Sequence, residues 1–225
     1  MRKISIIIPV LNEEDQIEIC LSGLQELRSR GHEVIVIDGE STDNTQVLAM
    51  PFAYKTIQHE KGRARQMNAG TKKTGGDILL FLHADTRLPQ DADKHILAAI
   101  KESEHCWGYF NVQLSGAHWL FRIIERCMNL RSWTTGIATG DHAIFMTRWI
   151  YEEVGGYEEI ELMEDIAVSS KLNQIVKPVS LREKVITSSR RWEQNGIIRT
   201  IFKMWRLRLA YFIGVTPATL VKQYD

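Results

Sequence analysis

The sequence predicts a single α/β domain in which helices flank a mostly parallel, Rossmann-like sheet. Two observations lead to this fold class. Short apolar runs rich in β-branched residues, without polar alternation, are typical of strands buried on both faces of a parallel sheet, and these runs alternate with segments of helical periodicity. The 225 residues, of which 44% are hydrophobic, are enough to bury a sizeable core and fall within the range of one α/β domain.

The first strand is predicted at Ile4–Val10, a β-branched apolar run without polar alternation. A helix is predicted over residues 13–30, because apolar residues recur at helical spacing and acids occupy the first turn; Gly31 ends it. A second buried-type strand is predicted over residues 34–37. The order strand, helix, strand implies that the two strands pair in parallel.

The same alternation continues along the chain. Residues 63–72 predict a helix, residues 78–82 a third strand, and residues 91–103 a further helix after Pro89. The second half is less regular, with a strand at 107–114, a helix at 118–130, a short strand at 143–147 and a helix at 166–173. No linker, repeat or low-complexity segment interrupts the chain, so we expect one domain.

Charge and cysteine content exclude several classes of protein. Lys plus Arg and Asp plus Glu each total 28, whereas a nucleic-acid binder carries a basic surplus, so we expect no nucleic-acid partner. Cys20, Cys106 and Cys127 lie far apart without CxxC spacing, which argues against a disulfide framework or a zinc site and favours the cytoplasm. The N-terminal apolar run is too short for an export signal, and no stretch reaches the roughly 18 apolar residues of a membrane span.

Polar residues follow the three predicted strands at their carboxyl ends: Asn12 and Glu14, then Asp38, then Asp85. A single aspartate after a strand is more often a turn former or a helix cap. Ligands of open α/β sheets, however, bind beyond the carboxyl ends of the strands, and three such ends converge here. Neither GxGxxG nor GxxxxGK[ST] is present to hold phosphates, so a divalent cation, Mg²⁺ or Mn²⁺, bound by Asp85 is the natural alternative.

Seven segments, in order along the chain, resemble the family 2 glycosyltransferases of GT-A fold, specifically a small bacterial-type subgroup. They are IIIPVLNEE, VIVIDGESTDNT, KGRARQMNAG, ILLFLHADT, GDHAIF, MEDIAVSSKL and SSRRW. The resemblance implies a metal-assisted enzyme that moves a sugar from a UDP or GDP donor to an acceptor hydroxyl, with inversion at the anomeric carbon. It also implies a nucleotide-binding half over residues 1–88, an acceptor half over 89–192, and a terminal amphipathic helix and tail over 193–225.

By this resemblance Asp38 binds the base or ribose of the donor, and Asp85 carries the metal as the last residue of a DxD-like motif. His83 stands where the family has the first acid, and three roles stay open for it: nucleotide contact, metal ligation or packing. Basic residues after Lys61 face the diphosphate or form a solvated surface. The implied nucleotide-sugar site consists of Pro9, Val10, Asn12, Glu14, Asp38, Gly62, Arg63, Arg65, His83, Ala84 and Asp85.

The acceptor half carries the implied catalytic base. An inverting transfer needs a carboxylate to take the proton of the acceptor hydroxyl, and by resemblance Asp165 is that base and Glu164 orients it; alternatively both merely open a helix. Asp141 is a candidate for an acceptor hydroxyl or a turn. Arg191 is a candidate for phosphate, and Trp192 for stacking on the acceptor or for the core. Ser188 replaces the glutamine of the QxxRW motif of processive relatives, which argues against a polymerase.

Residues 197–213 predict an amphipathic helix, with Ile197, Ile201, Trp205, Leu209 and Phe212 along one face. Such a helix packs on its own domain or lies at a membrane interface. We therefore expect a cytoplasmic protein, with peripheral contact at the inner face of the membrane left open, and a small-molecule or lipid-linked acceptor. Two rival functions also stay open: a sugar-phosphate nucleotidyltransferase, and a non-catalytic protein that binds nucleotide sugars.

Overall fold

A computed structural model describes residues 2–101 and 103–224. In these ranges the strands are β1 (Ile4–Val10), β2 (Glu33–Asp38), β3 (Lys55–Gln58), β4 (Ile78–Phe81), β5 (Thr86–Arg87), β6 (Trp107–Leu114), β7 (Phe145–Thr147) and β8 (Val179–Thr187). The helices are α1 (Glu14–Ser22), α2 (Gln25–Ser29), α3 (Thr45–Ala49), α4 (Arg63–Thr71), α5 (Ala92–Ile100), α6 (Trp119–Thr135), α7 (Arg148–Glu153), α8 (Glu164–Ile175), α9 (Arg190–Asn195), α10 (Ile197–Phe212) and α11 (Pro217–Tyr224).

The described strands form one sheet in the order β3-β2-β1-β4-β7-β6-β8-β5. The first four are parallel to one another, and β6 is parallel to β8. Strand β7 runs antiparallel to both of its neighbours, and β5 runs antiparallel to β8. The predicted class, a single α/β domain with a mixed, mostly parallel sheet, is confirmed.

The sheet is strongly curled. Strands β4 and β5 are joined by residues 82–85 only, yet they stand four positions apart in the sheet. At about 4.8 Å between strands, a flat sheet would separate them by about 19 Å, close to the limit of a taut chain of this length. The connection is not taut, because it contains a turn in which the Thr86 N–H donates a hydrogen bond to the His83 carbonyl at 3.1 Å. The far edge therefore curves back toward β4.

The core lies on both faces of the sheet, as the apolar runs predict. Every residue of β1 is buried. Ile4, Ile6 and Ile8 point to one apolar cluster, which α1 and α5 cover, and Ile7 points to the other, which α4 and α8 cover. Helices therefore flank the sheet on either side, and polar groups collect at the strand ends.

Several observed elements were not predicted, among them β5, α3, α7, α9 and α11. The helix predicted over residues 13–30 is two helices, α1 and α2, which are separated at Gly23; the predicted stop at Gly31 has a φ of 93°. Strands β3 and β8 were not predicted, because their side chains are largely polar or half-buried. In the described ranges, no helix combines the length and apolar character that crossing a bilayer requires.

Helix α10 packs on the domain with only part of the apolar face that the spacing predicts. Ile197 and Ile201 are half-buried against a cluster that includes Phe121 and Ile124. The predicted face is therefore divided, because its first two residues pack on the domain whereas Trp205, Leu209 and Phe212 are exposed. The first two pack because α10 crosses α6 at its first turns, and the outward stripe begins one residue later, at Ile198.

Candidate active-site cleft

A cleft of about 540 Å³ opens at the carboxyl ends of β1 and β4. Its opposite walls are formed by the start of α8, the end of β8 and the C-terminal helices. The predicted site residues that line it are Pro9, Arg63, His83, Ala84, Asp85, Asp141, Glu164, Asp165, Arg191 and Trp192. Residues from both halves of the sequence thus share one cavity.

The start of α8 sets the position of Asp165. Met163, directly before the helix, has a φ of 70°, a conformation that residues with a side chain rarely adopt. Asp165 Oδ2 accepts a hydrogen bond from the Gly140 N–H at 2.8 Å, and Oδ1 accepts one from its neighbour, the Ile166 N–H, at 2.7 Å. The carboxylate is therefore held in one orientation at the cleft wall.

Glu164 and Asp165 place two adjacent carboxyl groups at this wall, the first buried and the second half-buried. Burial, and then the charge of Asp165, raise the pKa of Glu164 to about 7. Burial also raises the pKa of Asp165, although the two N–H donors oppose the shift. The Arg63 guanidinium lies 3.9 Å from the Glu164 carboxylate and favours its charged form. A proton acceptor with a pKa raised toward neutrality is suited to general-base chemistry.

His83 and Asp141 form an ion pair across the cleft, with 3.7 Å between Nδ1 and Oδ1. Burial opposes the charged form of His83, but Asp141 outweighs it and raises the pKa of the imidazole. In return, although burial opposes it, His83 lowers the pKa of Asp141 to about 2. Gly140 permits this contact, since a Cβ there would stand 2.3 Å from His83 Nε2.

Asp85 and Glu13 place two carboxylates on the donor side of the cleft. Burial and then the charge of Asp85 raise the pKa of Glu13, while Arg190, 3.4 Å away, opposes the shift. These oxygen donors fit Mg²⁺ or Mn²⁺. Among the described residues no group of three or more His, Cys, Asp or Glu is arranged to hold a metal, so a cation here would take further ligands from a bound phosphate.

Asp38 lies beside the cleft, buried at the end of β2. Its Oδ2 accepts a hydrogen bond from the Ser41 N–H at 3.1 Å, whereas Oδ1 is buried and has no partner among the described residues. A buried acceptor without a donor is costly. This oxygen is therefore available to accept a hydrogen bond from an N–H or O–H of a ligand.

Asn12 and Glu14 do not line the cleft; they brace the loop that follows Asp38. The Asn12 side-chain oxygen accepts a hydrogen bond from the Thr42 N–H at 2.8 Å, and a Glu14 oxygen accepts one from the Asn44 N–H at 3.0 Å. The two loops after β1 and β2 are thus tied together. The sequence pattern locates this region, but not which of its side chains face the cavity.

The remaining predicted residues that do not line the cleft are Val10, Gly62 and Arg65. Val10 is buried, and its carbonyl accepts hydrogen bonds from the Gly39 N–H and from Gln66. Gly62 precedes α4 with a φ of 131°, which favours glycine. Arg65 is exposed and pairs with Glu60 and Glu159.

Several cleft residues were not predicted from the sequence: Glu13, Thr139, Arg190, Met204, Arg208 and Tyr224. Glu13 and Arg190 each adjoin a predicted residue, so the motif could have included them. Thr139 is buried and its hydroxyl has no partner among the described residues. Tyr224 lies under the guanidinium of Arg191, 4.4 Å from its ring centroid, a contact that no local sequence signal reveals.

Proteins of known activity share parts of this sequence. Poly-beta-1,6-N-acetyl-D-glucosamine synthase of Staphylococcus aureus is 32% identical over 104 residues, which cover 44% of this chain and 25% of the relative. Dolichol-phosphate mannosyltransferase of Pyrococcus furiosus is 31% identical over 106 residues, which cover 44% of this chain and 30% of the relative. The match thus spans only about a quarter to a third of these glycosyltransferases.

Solved structures share the fold. Mannosyltransferase PcManGT from Pyrobaculum calidifontis, in complex with GDP-Man and Mn²⁺, has a TM-score of 0.65 at 20% identity, covering 93% of this chain and 61% of that chain. Staphylococcus aureus TarS 1-349, in complex with UDP, has a TM-score of 0.68 at 19% identity, covering 83% and 60%. Both neighbours have the GT-A fold.

The family itself follows from a match over most of the chain. The sequence model described as Glycosyl transferase family 2 matches residues 5–153. This range includes β1 to β7 and with them Asp38, Asp85 and Asp141. The chain belongs to glycosyl transferase family 2.

Proposed function

We propose that this chain transfers a sugar from a nucleoside-diphosphate sugar to an acceptor hydroxyl, with inversion at the anomeric carbon. The observation that carries the proposal is the Asp165 carboxylate, fixed by two N–H donors in the cleft that also contains Asp85. Asp165 takes the proton of the acceptor hydroxyl as its oxygen attacks the anomeric carbon. The bond from that carbon to the phosphate oxygen breaks, and the nucleoside diphosphate leaves with the electron pair.

The donor would lie along the ends of β1, β2 and β4. The unpartnered oxygen of Asp38 would accept a hydrogen bond from the base or ribose. Asp85 would hold a divalent cation together with the donor phosphates, and such a cation supplies positive charge to the departing diphosphate. Arg63 also lines the cleft and would add fixed positive charge there, and Asp141 beside His83 favours the charged form of its imidazole.

The acceptor would enter on the side of α8 and the C-terminal helices. Asp141, Arg191 and Trp192 line this side, and they would contact an acceptor hydroxyl, a phosphate and a ring, respectively. The chemistry suits a small-molecule or lipid-linked acceptor in the cytoplasm. Neighbours of the same fold bind UDP or the nucleotide sugar GDP-Man. We propose that the sugar donor of this chain is likewise a UDP sugar or a GDP sugar.

Nucleotide binding tests the donor site first. Calorimetric titration of UDP and GDP with Mn²⁺ should show one of them binding, and Asp85→Ala should remove the metal dependence, because the cation then loses its carboxylate. Glu18→Ala is the control, since this carboxylate is exposed on α1 and does not line the cleft. Binding by neither nucleotide would contradict the proposal and favour a different ligand class.

Turnover tests the base. Asp165→Asn should lower sugar transfer by about 10²- to 10⁴-fold, the usual contribution of a general base, while nucleotide binding changes little. Glu161→Gln, an exposed carboxylate four positions earlier, should leave both unchanged. Donor hydrolysis serves as the readout until the acceptor is identified. Unchanged hydrolysis in Asp165→Asn would exclude Asp165 as the base.

A further inference from the structure

The outward face of α10 carries a continuous apolar stripe. Ile198, Phe202, Trp205, Leu209 and Phe212 recur at helical spacing, and each exposes between 63% and 69% of its surface. Isolated exposed apolar side chains are ordinary, but five large ones on one helix face form a patch that normally marks an interaction surface. We call these five residues the outer stripe.

Cations border the outer stripe, and the segment that carries the stripe has no acidic residue of its own. The sequence from Gln194 to Tyr224 contains no Asp or Glu. Its basic residues are Arg199, Lys203, Arg206, Arg208 and Lys222. Arg199 and Arg206 are exposed and directly follow Ile198 and Trp205 in the helix, so their side chains flank the stripe. A large apolar face next to positive charge alone is the composition of helices that bind at the surface of anionic membranes.

The same composition argues against a second copy of the chain as the occupant. In a twofold-symmetric dimer the same patch meets itself, so the arginines that border one stripe would approach those of the other. An anionic lipid surface instead neutralises these cations while it accepts the apolar side chains. Trp205, at the middle of the stripe, belongs to a residue type enriched at the membrane interface.

The opposite face of α10 belongs to the cleft. Thr200, Met204 and Arg208 line it, and Leu207 is fully buried against a cluster that includes Met163. The helix is therefore a wall with the catalytic cavity on one side and the outer stripe on the other. A surface that binds the stripe would lie one helix diameter, about 10 Å, from the cavity.

We propose that the outer stripe of α10 seats the chain on an anionic phospholipid bilayer, beside which the cleft opens. Its consequence for catalysis rests on the proposed function: an acceptor carried on a lipid would reach Asp165 from the bilayer surface without leaving it. The docking itself requires neither donor nor metal.

Sedimentation with vesicles tests the docking. The chain should bind vesicles of equimolar phosphatidylcholine and phosphatidylglycerol, and bind phosphatidylcholine alone more weakly. Phe202→Ser with Trp205→Ser should lower the bound-to-free ratio by about tenfold or more on the mixed vesicles, because burial of two aromatic rings is lost. Arg199→Gln with Arg206→Gln should weaken binding to the mixed vesicles alone and reduce its sensitivity to salt.

A matched double variant controls for the loss of exposed apolar surface in general. Val47 lies on α3 and Met50 directly after it, and they are 67% and 63% exposed. Helix α3 packs beside α1 and β2, and β2 stands four positions from β6 in the sheet. Their replacement by serine should leave vesicle binding unchanged. Circular dichroism checks that each variant is folded.

Three results would overturn the proposal: no vesicle binding by the unmodified chain, equal losses in the α3 and α10 variants, or a dimer in solution that Phe202→Ser with Trp205→Ser dissociates. Nucleotide titration without vesicles separates this inference from the proposed function. A chain that binds vesicles but no nucleotide keeps the docking surface and removes the assigned chemistry. A chain that binds nucleotide but no vesicles keeps the assigned chemistry and removes the docking surface.

Discussion

Glu164 and Asp165 are adjacent in the chain, yet their carboxylates have different surroundings. Asp165 receives two backbone N–H groups, whereas Glu164 is buried with Arg63 at 3.9 Å. The family resemblance implies that Asp165 is the base and Glu164 orients it, but the sequence does not show what fixes Asp165, because one of its two N–H donors is Gly140, 25 positions away. The geometry favours Asp165 as the fixed base and Glu164 as the group that tunes it.

The raised pKa of Glu164 predicts a pH-dependent stability. In the folded chain this pKa is about 7 against 4.5 for the free group, so the folded state holds a proton that the unfolded state releases. Stability therefore falls as the pH rises from about 4.5 to about 7. Glu164→Gln removes this loss and should raise the free energy of unfolding by about 1–3 kcal/mol at pH 8, with little gain at pH 4.

Urea denaturation at the two pH values measures this difference. Glu161→Gln, at an exposed position, is the matched control and should change stability at neither pH. Equal effects of Glu164→Gln at both pH values would show that Glu164 is not held protonated by the fold.

At the scale of elements, the sequence predicts buried apolar strands well and polar, partly exposed strands poorly. β1 and β4 are mainly apolar runs whose residues are all buried. β8 has nine residues, of which seven are half-buried or exposed, and β3 has only four, so neither has a hydrophobic pattern that separates it from a loop. Their pairing partners are distant in sequence, and tertiary contact rather than local preference makes them strands.

Helix α4 lies against β1 and β2 through Gly70, which leads to a prediction. A Cβ at Gly70 would come within 2.6 Å of Ile7 and 3.1 Å of Ile37, so Gly70→Ala must push the helix from the sheet. We expect a loss of about 1–3 kcal/mol in the free energy of unfolding, despite the better helix propensity of alanine. Because Arg63 begins this helix, nucleotide binding should weaken as well.

Gly23→Ala is the control for this substitution. Gly23 has a helical φ of −66°, and a Cβ there meets only backbone oxygens at 3.4 Å or more. Alanine should therefore stabilise the chain slightly or leave it unchanged. Thermal unfolding followed by circular dichroism compares the two, and a Gly70→Ala chain as stable as Gly23→Ala would refute the close-packing argument.

At the scale of the whole molecule, the proposed nucleotide and acceptor halves are interlocked. β5 belongs to residues 1–88 but pairs with β8 of residues 89–192, and β4 pairs with β7 across the same division. The Thr86 and Thr187 hydroxyl groups also share a hydrogen bond of 3.0 Å. The sequence predicts the halves as functional regions, but the curl of the sheet, which joins them at two places, has no local signature.

This interlocking predicts a single cooperative unfolding transition. Differential scanning calorimetry should give one peak with equal calorimetric and van 't Hoff enthalpies, because neither half keeps its sheet without the other. Residues 1–88 expressed alone should lack protected amides in hydrogen exchange. Two separate peaks would mean that the halves fold independently.

The short connection between β4 and β5 also constrains how relatives of this chain can diverge. Its four residues include Asp85, and both of its ends are fixed in the sheet. A side chain here can be exchanged without moving the backbone, as His83 in place of an acid illustrates, whereas an inserted or deleted residue would shift the carboxylate and the edge strand together. In a library of random substitutions, insertions and deletions, this segment should tolerate substitutions but neither insertions nor deletions.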